Sequence, residues 1–396
     1  MFLYNENFLK KKNNLTFIYF IFGILILIPK IDLIAIPGYH AGIRVEDIII
    51  FVFGIYLFLN LEKFHLSNKS LAFKLVIFFP YLVFSVMNGY FHNVVQYFAV
   101  IPRYIEYILL LLMIDNFLKN PKVIIIIAKL VITLNFIVSF LQKQNIVGGI
   151  SSVKYYAPGD EFLARPFGLA GGAWELGIVV SISFFIIMIS NKRNILLLLP
   201  FFLMTIYCLF IAETRGNIIA FFTTLLFFYN KNIFKNILII IPLSLVTIYF
   251  LKDNLVLKNI ISIDPYFLID QFRYYFQYKK VNPDIFEFGQ TYYSIGLRLK
   301  HLLPKYILFM DSNFIKFFGM GFKSLYYDSF ILRVLFSFGI VGTLIIVFLI
   351  RKVNFGIIVF IILAGLTLDL FVSFKIFLIF SMYFKYVNLI KKEKIK

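Results

Sequence analysis

Long apolar runs dominate the chain, and short polar stretches punctuate them. A helix that crosses a bilayer needs roughly 20 mostly apolar residues. Runs of about that length recur at 15–36, 45–61, 71–88, 94–113, 122–142, 166–189, 194–211, 215–230, 235–251, 328–350, 353–368 and 370–388. The pattern predicts an all-α polytopic integral membrane protein with about twelve transmembrane helices. The first run carries Pro29, Lys30 and Asp32, and only Asp369 divides the last pair, so eleven is the alternative. One stretch breaks the rhythm. Residues 252–327 are too long for a connector and are expected to be functional. The predicted organisation is nine spans over 1–251, a large loop over 252–327, and three spans with a basic tail over 328–396.

Composition and charge sharpen this picture. The 396 residues are 61% hydrophobic and 15% charged, against about 45–50% and 25% in soluble domains, which excludes a soluble globule. The formal net charge of +19 fits either a nucleic-acid partner or a membrane protein whose cytoplasmic loops carry cations. Placement decides. Counting every second polar stretch from Lys10–Lys12 onward, nineteen Lys and Arg fall on one side, and the short stretches between them hold six. That asymmetry places both termini in the cytoplasm and the 252–327 loop outside, with the lipid bilayer rather than nucleic acid as partner. No small-residue cleavage site follows the first run, so it is expected to stay as an anchor. Cys208 is the one cysteine, so no intramolecular disulfide can form.

Ionisable groups within apolar runs are the first candidates for chemistry. Arg103 and Glu106 stand three apart and share a helix face, as an internal structural pair or as a functional couple. Lys129 and Lys375 lack a local partner and are expected to snorkel or to pair with another helix. Arg165 opens a stretch with glycines at 168, 171, 172 and 177, which close helix packing explains. Packing does not explain Trp174 and Glu175 in the same turn, since a buried carboxylate needs a cation or a role. A second outer corner reads Glu213-Thr214-Arg215-Gly216, and Arg298 lies in the loop beyond. Guanidinium forks bind phosphate bidentately, so Arg165, Arg215 and Arg298 are candidate ligands for a lipid-linked diphosphate. Asp328 precedes an apolar run, where it suits a helix N-cap and also a base for a sugar hydroxyl. The loop is net +4 and Tyr-rich, and its 294–309 stretch alternates basic and apolar residues as a surface helix would. The four His, at 40, 65, 92 and 301, are scattered, and no Walker loop, HExxH or Asp-x-Asp pair occurs. No metal site and no cofactor are expected.

These motifs, over about residues 165–342, resemble the O-antigen polymerase and O-antigen ligase family of bacterial inner-membrane proteins. Arg165, Gly168, Trp174, Glu175 and Leu176 look like its first signature, and Thr214, Arg215 and Gly216 like its second. Then come a large outer loop with Arg298 and a Gly-x-Gly step at Gly319 and Gly321. The ligase branch continues with a His, a polar residue, nine residues, Gly, two residues and Gly. Here Ser329, Gly339 and Gly342 fit, but the His is Asp328, which favours the polymerase branch. The resemblance implies a metal-independent glycosyltransferase of the multi-span, GT-C type, working on the periplasmic side. Its donor would be a glycan on undecaprenyl diphosphate delivered by a flippase, and its acceptor another lipid-linked repeat unit. A chain-length regulator would be a further partner. Arg165, Arg215 and Arg298 would neutralise the diphosphate, and Asp328 or Glu175 would position or deprotonate the acceptor hydroxyl. Two competitors follow: a ligase that passes the glycan to a lipid A-core, and, from another class, a polysaccharide flippase.

Overall fold

The computed structural model describes residues 19–30, 32–34, 43–59, 71–96, 100–148, 166–191, 195–228, 264–286, 290–322, 329–350, 354–367, 370 and 373–393. They are predominantly helical. After a helical stretch at 19–27 come strands β1 (Asp32–Ile34) and β2 (Ile43–Arg44), then α1 (Val45–Leu59), α2 (Leu71–Phe91), α3 (Val100–Phe117), α4 (Pro121–Lys143), α5 (Ala173–Ser190), α6 (Ile195–Ile211) and α7 (Arg215–Phe228). Further along are α8 (Pro265–Tyr278), a 3-10 turn (Pro283–Phe286), α9 (Gln290–Asp311), α10 (Asn313–Phe318), α11 (Phe330–Ile350), α12 (Phe355–Thr367) and α13 (Phe374–Glu393). Among the described residues four helices are long and apolar enough to cross a membrane: α2, α4, α5 and α11. Large apolar side chains face outward, such as Phe51, Leu196 and Leu344. Such an exterior is tolerated in lipid and not in water, so the chain is membrane-embedded.

Local chemistry sets the helix ends. Asn120 caps α4 by accepting the Lys122 N–H, with Pro121 in the first turn, where a missing N–H costs nothing. Asp264 and Pro265 start α8 in the same way. The helices also correct four expectations. The first apolar run stops being helical at residue 27, just ahead of Pro29, which removes a donor and disfavours helix at the residue before it. An antiparallel ribbon follows, with Asp32 opposite Arg44. The 94–113 run begins as helix only at Val100, after a turn with Asn93 at φ 58°. The 166–189 run begins only at Ala173, because 166–172 form a turn instead. Ser329, and not Asp328, is the residue directly before α11, and its Oγ accepts the Leu332 N–H at 3.4 Å. The 235–251 run lies outside the described residues. Within 252–327 the chain folds into α8, the 3-10 turn, α9 and α10, and α9 contains the predicted 294–309 surface helix.

Cα packing divides the chain into two units: Met1–Ile77, Ile101–Ile218 and Ser373–Lys396 in the first, Phe78–Val100 and Ile219–Val372 in the second. In the first unit α5 is central, packed on α4, α6 and α13. Residues 175–188 of α5 are all buried, as expected of a helix that is apolar all round. Its Ser181 and Ser183 hydroxyls bond back to the carbonyls of Gly177 and Val179.

In the second unit α11 packs on α10, α9 and α12. Here α11 is broken at Gly339, whose φ of 65° and ψ of −171° suit only a residue without a side chain. The break frees carbonyls, and each finds a donor, as it must away from water. Met320 N–H donates to Phe336 O at 2.8 Å and Gly321 N–H to Ser337 O at 3.1 Å. Ser85 Oγ also donates to Ser337 O, and Tyr81 Oη to Phe338 O at 2.7 Å. Gln96 then clamps the same segment, donating to Met320 O and accepting from Phe322 N–H.

Candidate functional site: a polar end of the first unit

Glu175, in the first turn of α5, has no exposed surface. Its Oε2 accepts the Gly171 N–H at 2.5 Å and pairs with Lys30 Nζ at 2.9 Å, and its Oε1 accepts the Ser373 hydroxyl. Lys375, also buried, donates to Leu169 O at 2.5 Å. The 166–172 turn is therefore fixed from three sides. Gln142 Oε1 accepts the Phe167 and Gly168 N–H groups, and Asn135 Oδ1 accepts that of Leu169. Lys30 Nζ lies 5.9 Å from the centre of the Trp174 ring, within cation–π range.

The second corner docks on the same helix end. Asn217, in the first turn of α7, donates through Nδ2 to Trp174 O at 2.8 Å and approaches Thr214 Oγ1 at 3.3 Å. A side chain at Gly177 would overlap Asn217 and Thr214, so this close approach requires glycine. The N-termini of α5 and α7 are thus brought together. Unbonded N–H groups and the helix dipole make each such end positive, and no side chain caps α5. With Lys30 and Lys375 beside them, this end of the unit suits an anion.

A second charged group joins β2, α1 and α3 in the same unit. Arg103 Nη1 lies 2.5 Å from Glu106 Oε2 and 3.4 Å from Asp47 Oδ1, and Arg44 Nη1 lies 3.8 Å from Glu46 Oε1. Arg44 and Glu46 are within electrostatic reach of Lys375.

Of the candidates named from the sequence, Glu175 lies at the centre of this end, but as a fully bonded partner of Lys30 and not as a free acid. Arg215 is the first residue of α7. Arg165 and Asp328 lie outside the described residues. Arg298 is exposed on α9, in the second unit. Arg103 and Glu106 do pair. Lys375 pairs with another element, as expected, and Lys129 Nζ sits 5.5 Å from the Phe201 ring. Sequence reasoning missed Asn135, Gln142, Asn217 and Ser373. Asn135 and Gln142 stand seven apart on one face of an apolar helix, and that spacing was the available signal.

Compared with models of known protein families, with curated proteins and with solved structures, the chain matches none.

Proposed function

We propose that the protein is a surface-polysaccharide polymerase. It joins undecaprenyl-diphosphate-linked repeat units by glycosyl transfer at the periplasmic face of the bacterial inner membrane. The observation that carries this is the convergence of the α5 and α7 N-termini with buried Lys30 and Lys375, in the turns that follow Arg165 and begin at Arg215. Charge asymmetry along the sequence assigns these helix ends to the outer side. Fixed cations and helix dipoles, aimed where the diphosphate gains charge, lower the barrier to its departure. Lys30, Lys375 and the two arginines bind and neutralise the leaving group, while Glu175 holds Lys30 and the 166–172 turn in place. Fixed position supplies much of the remaining rate.

Trp174 is the chain's single tryptophan and lies beside Lys30, so it reports binding directly. Undecaprenyl diphosphate added to the detergent-solubilised protein should change Trp174 fluorescence saturably, and Arg215→Ala should weaken that response. A flat titration overturns the assignment. In cells, a null strain of a polymerase leaves core capped with one repeat unit. Uncapped core with accumulated lipid-linked chains would instead indicate the ligase, and single units held on the cytoplasmic leaflet the flippase. A reporter fused after about residue 290 should read periplasmic.

A further inference from the structure

We propose that Glu106 is the carboxylate that takes the acceptor's proton, a role that rests on the glycosyl-transfer reading above. Transfer to a sugar hydroxyl needs a positioned proton acceptor. Glu175 is unsuited, because both of its oxygens are engaged by Gly171, Lys30 and Ser373. Glu106 differs. Its Oε2 is held by Arg103 at 2.5 Å, whereas its Oε1 is buried and receives no hydrogen bond, the Asp47 carboxylate beside Glu106 being an acceptor too. Glu46 Oε1 is likewise buried without one, on a side chain only 3% exposed. Buried acceptors left without a donor are rare in native proteins, and an acceptor hydroxyl is a donor of the right kind. The cluster opens on one side, where the Asp47 and Arg103 side chains are 27% and 21% exposed. Arg103 from its own helix and Asp47 and Glu46 from α1 are the charged groups that face it.

The step balances without another reactant. Glu106 Oε1 removes the hydroxyl proton as the acceptor oxygen bonds to the anomeric carbon. The bond from that carbon to the diphosphate oxygen breaks, and its electron pair leaves on the polyprenyl diphosphate. The proton then passes to solvent on the open side of the cluster.

The test uses the full chain in detergent, with lipid-linked single units extracted from the null strain as donor and acceptor. Glu106→Gln should slow transfer about 100-fold or more, the range of a general base. The limb that Glu106 ionisation sets in the wild-type pH profile should disappear, and Glu106→Asp should restore part of the activity. Trp174 titration with undecaprenyl diphosphate should be unchanged in both variants, which shows that the protein is folded. Transfer by Glu106→Gln at the wild-type rate overturns the assignment. So does a slow variant with a wild-type pH profile and no recovery in Glu106→Asp, which would make Glu106 a brace for Arg103. If Glu106→Gln does not accumulate, the pH profile of Glu106→Asp decides, and a profile identical to wild type overturns the role. Wild-type protein that binds the diphosphate but transfers nothing sinks the glycosyl-transfer reading itself, and Glu106 falls with it.

Discussion

The start of α5 and the break within α11 are both glycine-dependent steps in an apolar helix, yet they bury opposite kinds of polar group. At α5 the buried groups are ionised side chains, Lys30, Glu175 and Lys375, which hold one another and the 166–172 turn. At α11 they are backbone carbonyls, released at Gly339 and captured by Met320, Gly321, Tyr81 and Ser85. A break in a buried helix has to be repaired by donors, and repair alone accounts for every bond at α11. Nothing in helix repair calls for a lysine–glutamate–lysine group. The first region is held together by ionised side chains, and the second by backbone hydrogen bonds.

The contrast breaks most visibly at Glu175. Replacing it with Ala leaves Lys30 buried without its carboxylate, which costs about 3–5 kcal/mol. The expected result is loss of folded protein from the membrane and a much lower melting temperature in detergent. Glu175→Gln combined with Lys30→Met removes both charges and should recover much of the melting temperature but not diphosphate binding. If binding also returns, the charges at α5 are structural after all.

A smaller effect is expected at α11. Gly339→Ala forces a side chain into the left-handed region and toward Phe317 O, 2.5 Å from the new Cβ, at a cost of about 1–3 kcal/mol. Trp174 titration should be unaffected, because this site supplies shape and not charge. A loss of diphosphate affinity at full stability would contradict that division. Gln96→Leu, which removes the clamp on Met320 and Phe322, should cost about 1–3 kcal/mol through the carbonyl and N–H it leaves unpaired. Its melting temperature should fall while Trp174 titration holds.

The same contrast explains how much was legible in the sequence. Apolar run length predicted the helical, membrane-embedded class, because burial in lipid imposes a length and a composition. Arg103 with Glu106 was legible because the two share one helix turn. Lys30 with Glu175 was not, since 145 positions separate them and only tertiary packing joins a helix end to the turn before α5. The spacing of Ser329, Gly339 and Gly342 looked like a catalytic signature. In the structure Gly339 is the residue at which α11 breaks, and the Gly319-Met320-Gly321 step supplies N–H donors to the freed carbonyls. Glycine patterns record backbone geometry, and one geometry can stand beside chemistry or far from it. Glu175 was half legible for the opposite reason: its residue type suggested an acid, but its three partners come from distant parts of the chain or from the turn before it.

The smallest effect tests an exception within the second unit. Tyr275, in the loop helix α8, is a buried side-chain hydroxyl with no hydrogen-bond partner, packed with Ile285 and Leu299. Burial pushes its hydroxyl up to about 12 from an ordinary 10. Because the folded value lies above the unfolded one, the contribution is fully present below pH 10. Between pH 10 and about 12 the unfolded chain gives up the proton first, so stability falls as pH rises across that window. Tyr275→Phe removes the titrating group and should flatten the decline, read as the melting temperature or proteolytic resistance of the 264–311 region at pH 9 and pH 11. A decline unchanged in Tyr275→Phe would place the alkaline loss elsewhere and leave the second unit with backbone repair as its main buried polar work.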